Sequence, residues 1–165
     1  MKLNSLHDLY VAELKDLYDG ENRIMKALPK MAQAAGSPEL RSAFEQHLRQ
    51  TQVHADRLNR ILERLGESPK GGKCKGVEGI LDEGEDFMNQ DSPPAVCDAA
   101  LIATAQHVEH YEIAAYGTVR TFAKRLGADP DIPMLEETLR EEKETDKKLT
   151  TLAESYINEE AKSAR

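Results

Sequence analysis

Read at the three- and four-residue spacing of an amphipathic helix, the apolar residues of this chain fall into four long stripes and one short one. The first stripe, helix A, carries Leu3, Tyr10, Leu14, Leu17, Ile24, Leu28 and Met31, and Glu21 interrupts it at its centre. Helix B carries Leu40, Phe44, Leu48, Thr51, Ala55, Leu58, Leu62 and Leu65, with His47, Gln50 and His54 along its flank. Helix C carries Leu101, Ala105, Val108, Ala115, Val119, Phe122 and Leu126 around Glu112, and Glu109 lies one turn earlier on the same side. In helix D, Glu142 and Asp146 interrupt Leu135, Leu139, Leu149, Ala153 and Tyr156. Between B and C, a short pattern of Val77, Ile80, Leu81, Phe87 and Met88 predicts one more helix, weakened by Gly79 and Gly84.

Local signals set the expected boundaries. Asn4 or Ser5 caps helix A, Asp8 favours its first turn, Pro29 should kink it, and Gly36 closes it. Ser37 then caps helix B, with Pro38 at its first position and Gly66 beyond its end. The Gly-, Lys- and Pro-rich stretch from Glu67 to Lys75 is a loop. Helix C opens at Asp91 or Ser92 with Pro93 and Pro94 in its first turn, and ends at Gly127. Asp129 to Pro133 leads into helix D. The spans expected are 4–35, 38–65, 93–126 and 132–157, followed by a polar tail over 158–165 that frays, all within a single domain over 1–165.

Composition narrows the class. A chain of 165 residues can bury one sizeable core. With 32% charged residues, no Trp and few β-branched residues, it reads as all-α. A net charge of −8 argues against nucleic acid and suits a protein that attracts small cations. Cys74 and Cys97 have no metal-site spacing and read as ordinary intracellular thiols. The start, Met1 to Ser5, has no apolar signal core, and no apolar run approaches a membrane span, so no membrane role and a cytoplasmic location are expected.

A weak internal repeat orders these helices. Adding 91 carries Glu21 to Glu112, Gly36 to Gly127, Phe44 to Leu135, Leu48 to Leu139 and Leu58 to Leu149, so A–B and C–D are related hairpins. The same offset sets Thr51 against Glu142 and Ala55 against Asp146. A one-residue slip instead sets Gln50 and His54 against Glu142 and Asp146, and the sequence leaves that register open. Two tight hairpins joined by a B–C connection long enough to travel the bundle give a ferritin-like four-helix bundle, its crossover carrying the short extra helix.

The acidic interruptions carry the chemistry. A buried carboxylate is costly unless it is paired or binds a metal. Glu109 and Glu112, at i and i+3, can converge on one point. Glu21, Glu112, Glu142 and His54 stand on four different helices, as in di-metal carboxylate bundles. The metal candidates are therefore Glu21, His54, Glu109, Glu112, Glu142 and Asp146, with Glu109 and Asp146 either ligands or partners of ligands and His54 a ligand, a donor behind one or simply a histidine at the bundle edge. His47 and Gln50 read as supporting or weak ligands. His107 and His110 point outward, and Glu13, Glu141 and Glu144 read as charged surface. Oxygen and imidazole donors suit iron first and manganese second, with open positions for oxygen or peroxide.

Val108-Glu109-His110-Tyr111-Glu112-Ile113-Ala114-Ala115-Tyr116-Gly117, preceded by Asp98-Ala99-Ala100-Leu101-Ile102-Ala103, resembles the YciE/YciF-type family of bacterial ferritin-like proteins. Glu141-Glu142-Lys143 with Asp146 to Leu149, and Asp16-Leu17-Tyr18 with Glu21, resemble it too, so the likeness covers about Leu6 to Glu154. The resemblance implies a dimer-forming four-helix bundle tied to bacterial stress, with a di-iron site and no settled activity. The chain departs at Gln50, where relatives usually carry Glu, while His54 occupies a position often held by Gln or His. The function expected is a stress-associated di-metal protein reacting with oxygen or peroxide, an oxidoreductase if it is an enzyme. The alternative is a structural or adaptor protein with a reduced or purely structural site, and an iron-storage cage ranks third. Leu9, Val11, Met25 and Ile113, outside the core stripes, point to a two-fold homodimer.

Overall fold

In the computed structural model, residues 3–164 are described. Met1 and Lys2, part of the expected signal-free start, and Arg165 of the expected fraying tail lie outside the described residues. The helices are α1 (Leu6–Ala34), α2 (Pro38–Arg64), α3 (Lys75–Met88), α4 (Pro94–Leu126) and α5 (Ile132–Leu152). A π-helical turn over Ala153–Ile157 leads into α6 (Asn158–Ser163). No strand occurs among the described residues. No described helix is long and apolar enough to cross a membrane.

Side-chain pairs fix the helix directions. Lys15 near the start of α1 meets Glu67 just beyond α2, while Arg41 near the start of α2 donates to the carbonyls of Ala32 and Ala35, so these two helices run antiparallel. Lys124 pairs with Glu136 and Gln106 with Thr150, so α4 and α5 are antiparallel too. The turn after α1 touches Asp98 at the start of α4, and Arg64 at the end of α2 meets Asp131 at the start of α5. The pairs α1/α4 and α2/α5 are therefore antiparallel as well. That leaves α2 and α4 running the same way, and the segment between them climbs the bundle with α3 alongside α1, where Glu78 meets Arg23 and Glu85 meets Lys30.

Several helix ends differ from expectation, each for a local reason. Ser5 is the cap of α1, its hydroxyl accepting from the Asp8 amide at 3.1 Å. Leu3 consequently lies outside the helix and is 59% exposed. Gly36 does not close α1; Ala35 leaves it in extended conformation, and the Gly36 and Ser37 amides donate to the Asp98 carboxylate at 2.8 Å each. The helix continues through Pro29, and the Arg41 guanidinium satisfies two of its last carbonyls. Neither Asp91 nor Ser92 caps α4. Proline disfavours helical geometry in the residue before it, so Pro93 flanks the helix and Pro94 begins it. Beyond α5, residues 158–163 are helical where fraying was expected.

The core divides into two apolar clusters. One centres on Ile24, Leu28, Phe44, Leu101 and Val108, the other on Tyr10, Leu14, Leu58, Val119 and Leu135. Between them, at mid-bundle, lie the acidic interruptions of the stripes. Burial also resolves the repeat register. The offset of 91 sets buried Thr51 against buried Glu142 and buried His47 against buried Thr138, whereas the slipped register sets partly exposed Gln50 against Glu142.

Candidate metal centre

Each helix of the bundle delivers its polar residues to the centre by the helical period. From α1 comes Glu21, from α2 His47 and His54, from α4 Glu109 and Glu112, and from α5 Glu142. All six are buried, His47 the most exposed at 4%. Two sets have one donor atom per residue within 4.8 Å of one another: His47, Glu109, Glu112 and Glu142, and Glu21, His54 and Glu142. Glu142 belongs to both.

The short contacts do not have the alignment of hydrogen bonds. His54 Nδ1 lies 2.8 Å from Glu142 Oε1, and His47 Nε2 lies 3.1 Å from Glu109 Oε1, yet both nitrogens lack a hydrogen-bond partner. Both oxygens of Glu112 and of Glu142, Glu21 Oε2 and Glu109 Oε2 are buried without one as well. Native interiors leave few such groups unsatisfied. Two donor atoms each about 2.1 Å from one ion, at right angles, lie about 3 Å apart. The nitrogen–oxygen contacts have that separation, and the donor set fits a divalent ion.

The surroundings hold these donors in place. His54 Nε2 lies 2.9 Å from Glu141 Oε2, a carboxylate that also binds the Arg57 guanidinium. With the ring proton on Nε2, the Nδ1 lone pair faces the centre; the carboxylate–histidine arrangement fixes both tautomer and ring orientation. Tyr116 donates its hydroxyl to Glu21, and its ring stands edge-on to the His54 imidazole at 6.4 Å. Neither nitrogen of His47 has such a partner.

Electrostatics of the metal-free chain follow from burial. Burial pushes Glu21 up to about 8, against the opposing charge of His54. Burial, followed by the neighbouring carboxylates, lifts Glu109 and Glu112 well above the usual range. Burial pulls the His54 imidazole down, but Glu142, Glu21 and Glu141 outweigh it and raise it to about 9. Glu142 is held below its usual value because the His54 interaction overcomes its burial. Burial holds His47 low. Four carboxylates thus face two imidazoles, and protons make up the balance when no cation is present.

Of the candidates read from sequence, Glu21, His54, Glu109, Glu112 and Glu142 are brought together, and His47 joins them. Asp146 is not in either set. It accepts from Gln106 Nε2 at 3.0 Å and lies 3.3 Å from the exposed His110. Gln50 is partly exposed and is absent from both sets; it lines a cavity of about 90 Å³ between α2, α4 and α5 that reaches His47 and Glu109. Glu141 is no simple surface charge, since it pairs with His54. The sequence did hold a signal for Tyr116, which follows Glu112 by one turn on the same face. It held none for Glu141, whose role depends on where α2 packs.

An all-helical bundle whose stripes converge on a buried carboxylate–histidine cluster defines a class of helical carboxylate proteins. The chain belongs to the family described as Domain of unknown function (DUF892), whose model matches residues 5–162. It is 40% identical to Protein YciF of Escherichia coli over 98% of both chains. The crystal structure of the E. coli stress protein YciF superposes with a TM-score of 0.90 at 40% identity, covering 94% of this chain and 98% of that one. YcfI of Rhodopseudomonas palustris, described as a candidate structural protein, superposes at 0.88 with 38% identity, covering 91% and 96%. A Xanthomonas campestris protein at 22% identity and a TM-score of 0.73, covering 93% and 94%, shares the fold. The YciF-type resemblance of the helix C stretch thus holds over nearly the whole chain.

Proposed function

We propose that this is a stress-associated ferritin-like protein that holds two divalent ions, iron before manganese, and reacts with oxygen or peroxide. One observation carries the reading: buried nitrogen and carboxylate atoms approach at the separation of neighbouring ligands without hydrogen-bond alignment. The helix order supports it, because hairpins α1/α2 and α4/α5 joined by one long crossover are the ferritin-like arrangement. Kinship with a stress protein supports the setting.

A redox ion held by these donors would supply the electrons for reduction of oxygen or peroxide. The chain's own residues do the rest. Glu141 keeps the Nε2 proton of His54 and presents Nδ1 inward. Tyr116 orients Glu21. Glu109 and Glu112 hold protons in the metal-free chain and release them when a cation takes their place. The two apolar clusters exclude bulk solvent on either side.

A structural role is the second reading. His47 has no orienting partner and Gln50 offers no charge, so the His47 position is the less completely built. Anaerobic calorimetric titration of ferrous iron or manganese tests the metal centre on which the first reading depends. Wild type should bind, and Glu112→Ala and Glu142→Ala should not. Glu112→Ala binding metal as wild type does would make the central carboxylates structural.

A further inference from the structure

The two ends of the cluster differ in access. At the His54 end, Glu141 and Arg57 cover Nε2, Tyr116 covers Glu21, and the His54 side chain is 1% exposed. At the other end, the cavity between α2, α4 and α5 has His47 and Glu109 in its lining, and both His47 nitrogens are free of partners. Ala43, Phe44, Ala105 and Leu149 form the apolar part of its lining, and Gln50, Thr145 and Glu144 add polar groups. Two exposed residues of the lining, Gln46 on α2 and Lys148 on α5, are joined by a 2.7 Å hydrogen bond from Nζ to Oε1.

We infer that this cavity admits a small neutral oxidant, the size of peroxide or dioxygen, to the His47–Glu109 end of the cluster, with the Lys148–Gln46 bridge barring its mouth. The inference rests on the di-metal reading and adds which end is open and to what. A volume of about 90 Å³ holds a molecule of a few atoms, whereas organic ligands occupy pockets of about 300–1,000 Å³. The apolar part of the lining, Phe44, Ala105 and Leu149, penalises an ion on its way inward. The net charge of −8 disfavours anions further. The His54 end, sealed by its own hydrogen bonds, serves as the closed side.

The test uses ferrous-loaded protein and nitric oxide, a diatomic probe followed spectroscopically without turnover, with hydrogen peroxide and dioxygen in separate arms. Ala105→Leu fills the cavity from α4, and Lys148→Ala removes the bar. Iron stoichiometry is measured first for each. Nitric oxide association should slow about tenfold or more in Ala105→Leu and quicken in Lys148→Ala. Slowing of peroxide, dioxygen or both in the filled variant identifies the oxidant that uses this route. If Ala105→Leu fails to fold or load, the exposed Lys148→Ala still decides. Association rates equal to wild type at full iron loading would overturn the entry route and leave the metal reading standing. Failure of wild type to bind ferrous iron would overturn both.

Discussion

His54 and Glu141 show how much of the site depends on a single ring orientation. The His54 ring has one nitrogen on Glu141 and the other beside Glu142, so removing Glu141 frees both tautomer and rotation. Partners behind a metal ligand are commonly worth about 10–100-fold in metal affinity. Glu141→Ala is therefore expected to weaken metal binding by about that factor in the calorimeter, while the fold, by circular dichroism, stays intact. Unchanged affinity would reduce Glu141 to a surface partner of Arg57. The helical period identified Glu21, Glu112 and Glu142 because each breaks an apolar stripe. It could not identify Glu141, rotated about 100° from Glu142, since only the position of α2 turns that direction inward. Asp146 shows the complementary case: one turn beyond Glu142 it still lies on the stripe, but its carboxylate meets Gln106 on α4.

At the scale of elements, periodicity located every long helix, and the misjudged ends are those decided by tertiary contacts. Gly36 reads as a left-handed cap until Asp98, distant in sequence, takes its amide. Helix α3 was legible by pattern, but its glycines are not alike. A Cβ on Gly79 would meet nothing within 4 Å, whereas one on Gly84 would overlap the Thr104 side chain. Gly79→Ala should stabilise the protein by about 0.5–1 kcal/mol through helix propensity. Gly84→Ala should cost about 1–3 kcal/mol as α3 is lifted off α4. Urea unfolding midpoints read both. Equal and favourable shifts would mean that α3 packs loosely, and its place in the crossover would lose its basis.

For the whole molecule, assembly and linkage are the properties the sequence could only suggest. Val11 proves to be buried within the chain, while Leu9, Met25 and Ile113 remain partly exposed and Val53 is 45% exposed. A two-fold homodimer is the expected assembly, and sedimentation at micromolar concentration showing only an 18.4 kDa species would end that expectation. The pH dependence of stability follows from the site. Glu21, raised from 4.5 to about 8, favours the folded state while protonated, so its contribution is lost as pH rises through that value. His54, raised from 6.5 to about 9, stabilises below 6.5 and loses that contribution as pH rises through 9. His47, held below 6.5, and Glu142, held below 4.5, oppose these only on the acid side. Between pH 6.5 and 9 the metal-free protein should therefore melt at progressively lower temperature. Bound metal reverses the trend, because ligand deprotonation favours binding as pH rises. At free metal about 1,000 times Kd the stabilisation is about 4 kcal/mol, which for a domain of this size raises Tm on the order of 10 °C. Calorimetric melts of chelated and manganese-loaded protein across that pH range give the answer. A chelated protein that melts with the loaded one at every pH would mean the buried carboxylates are neutralised by protons alone.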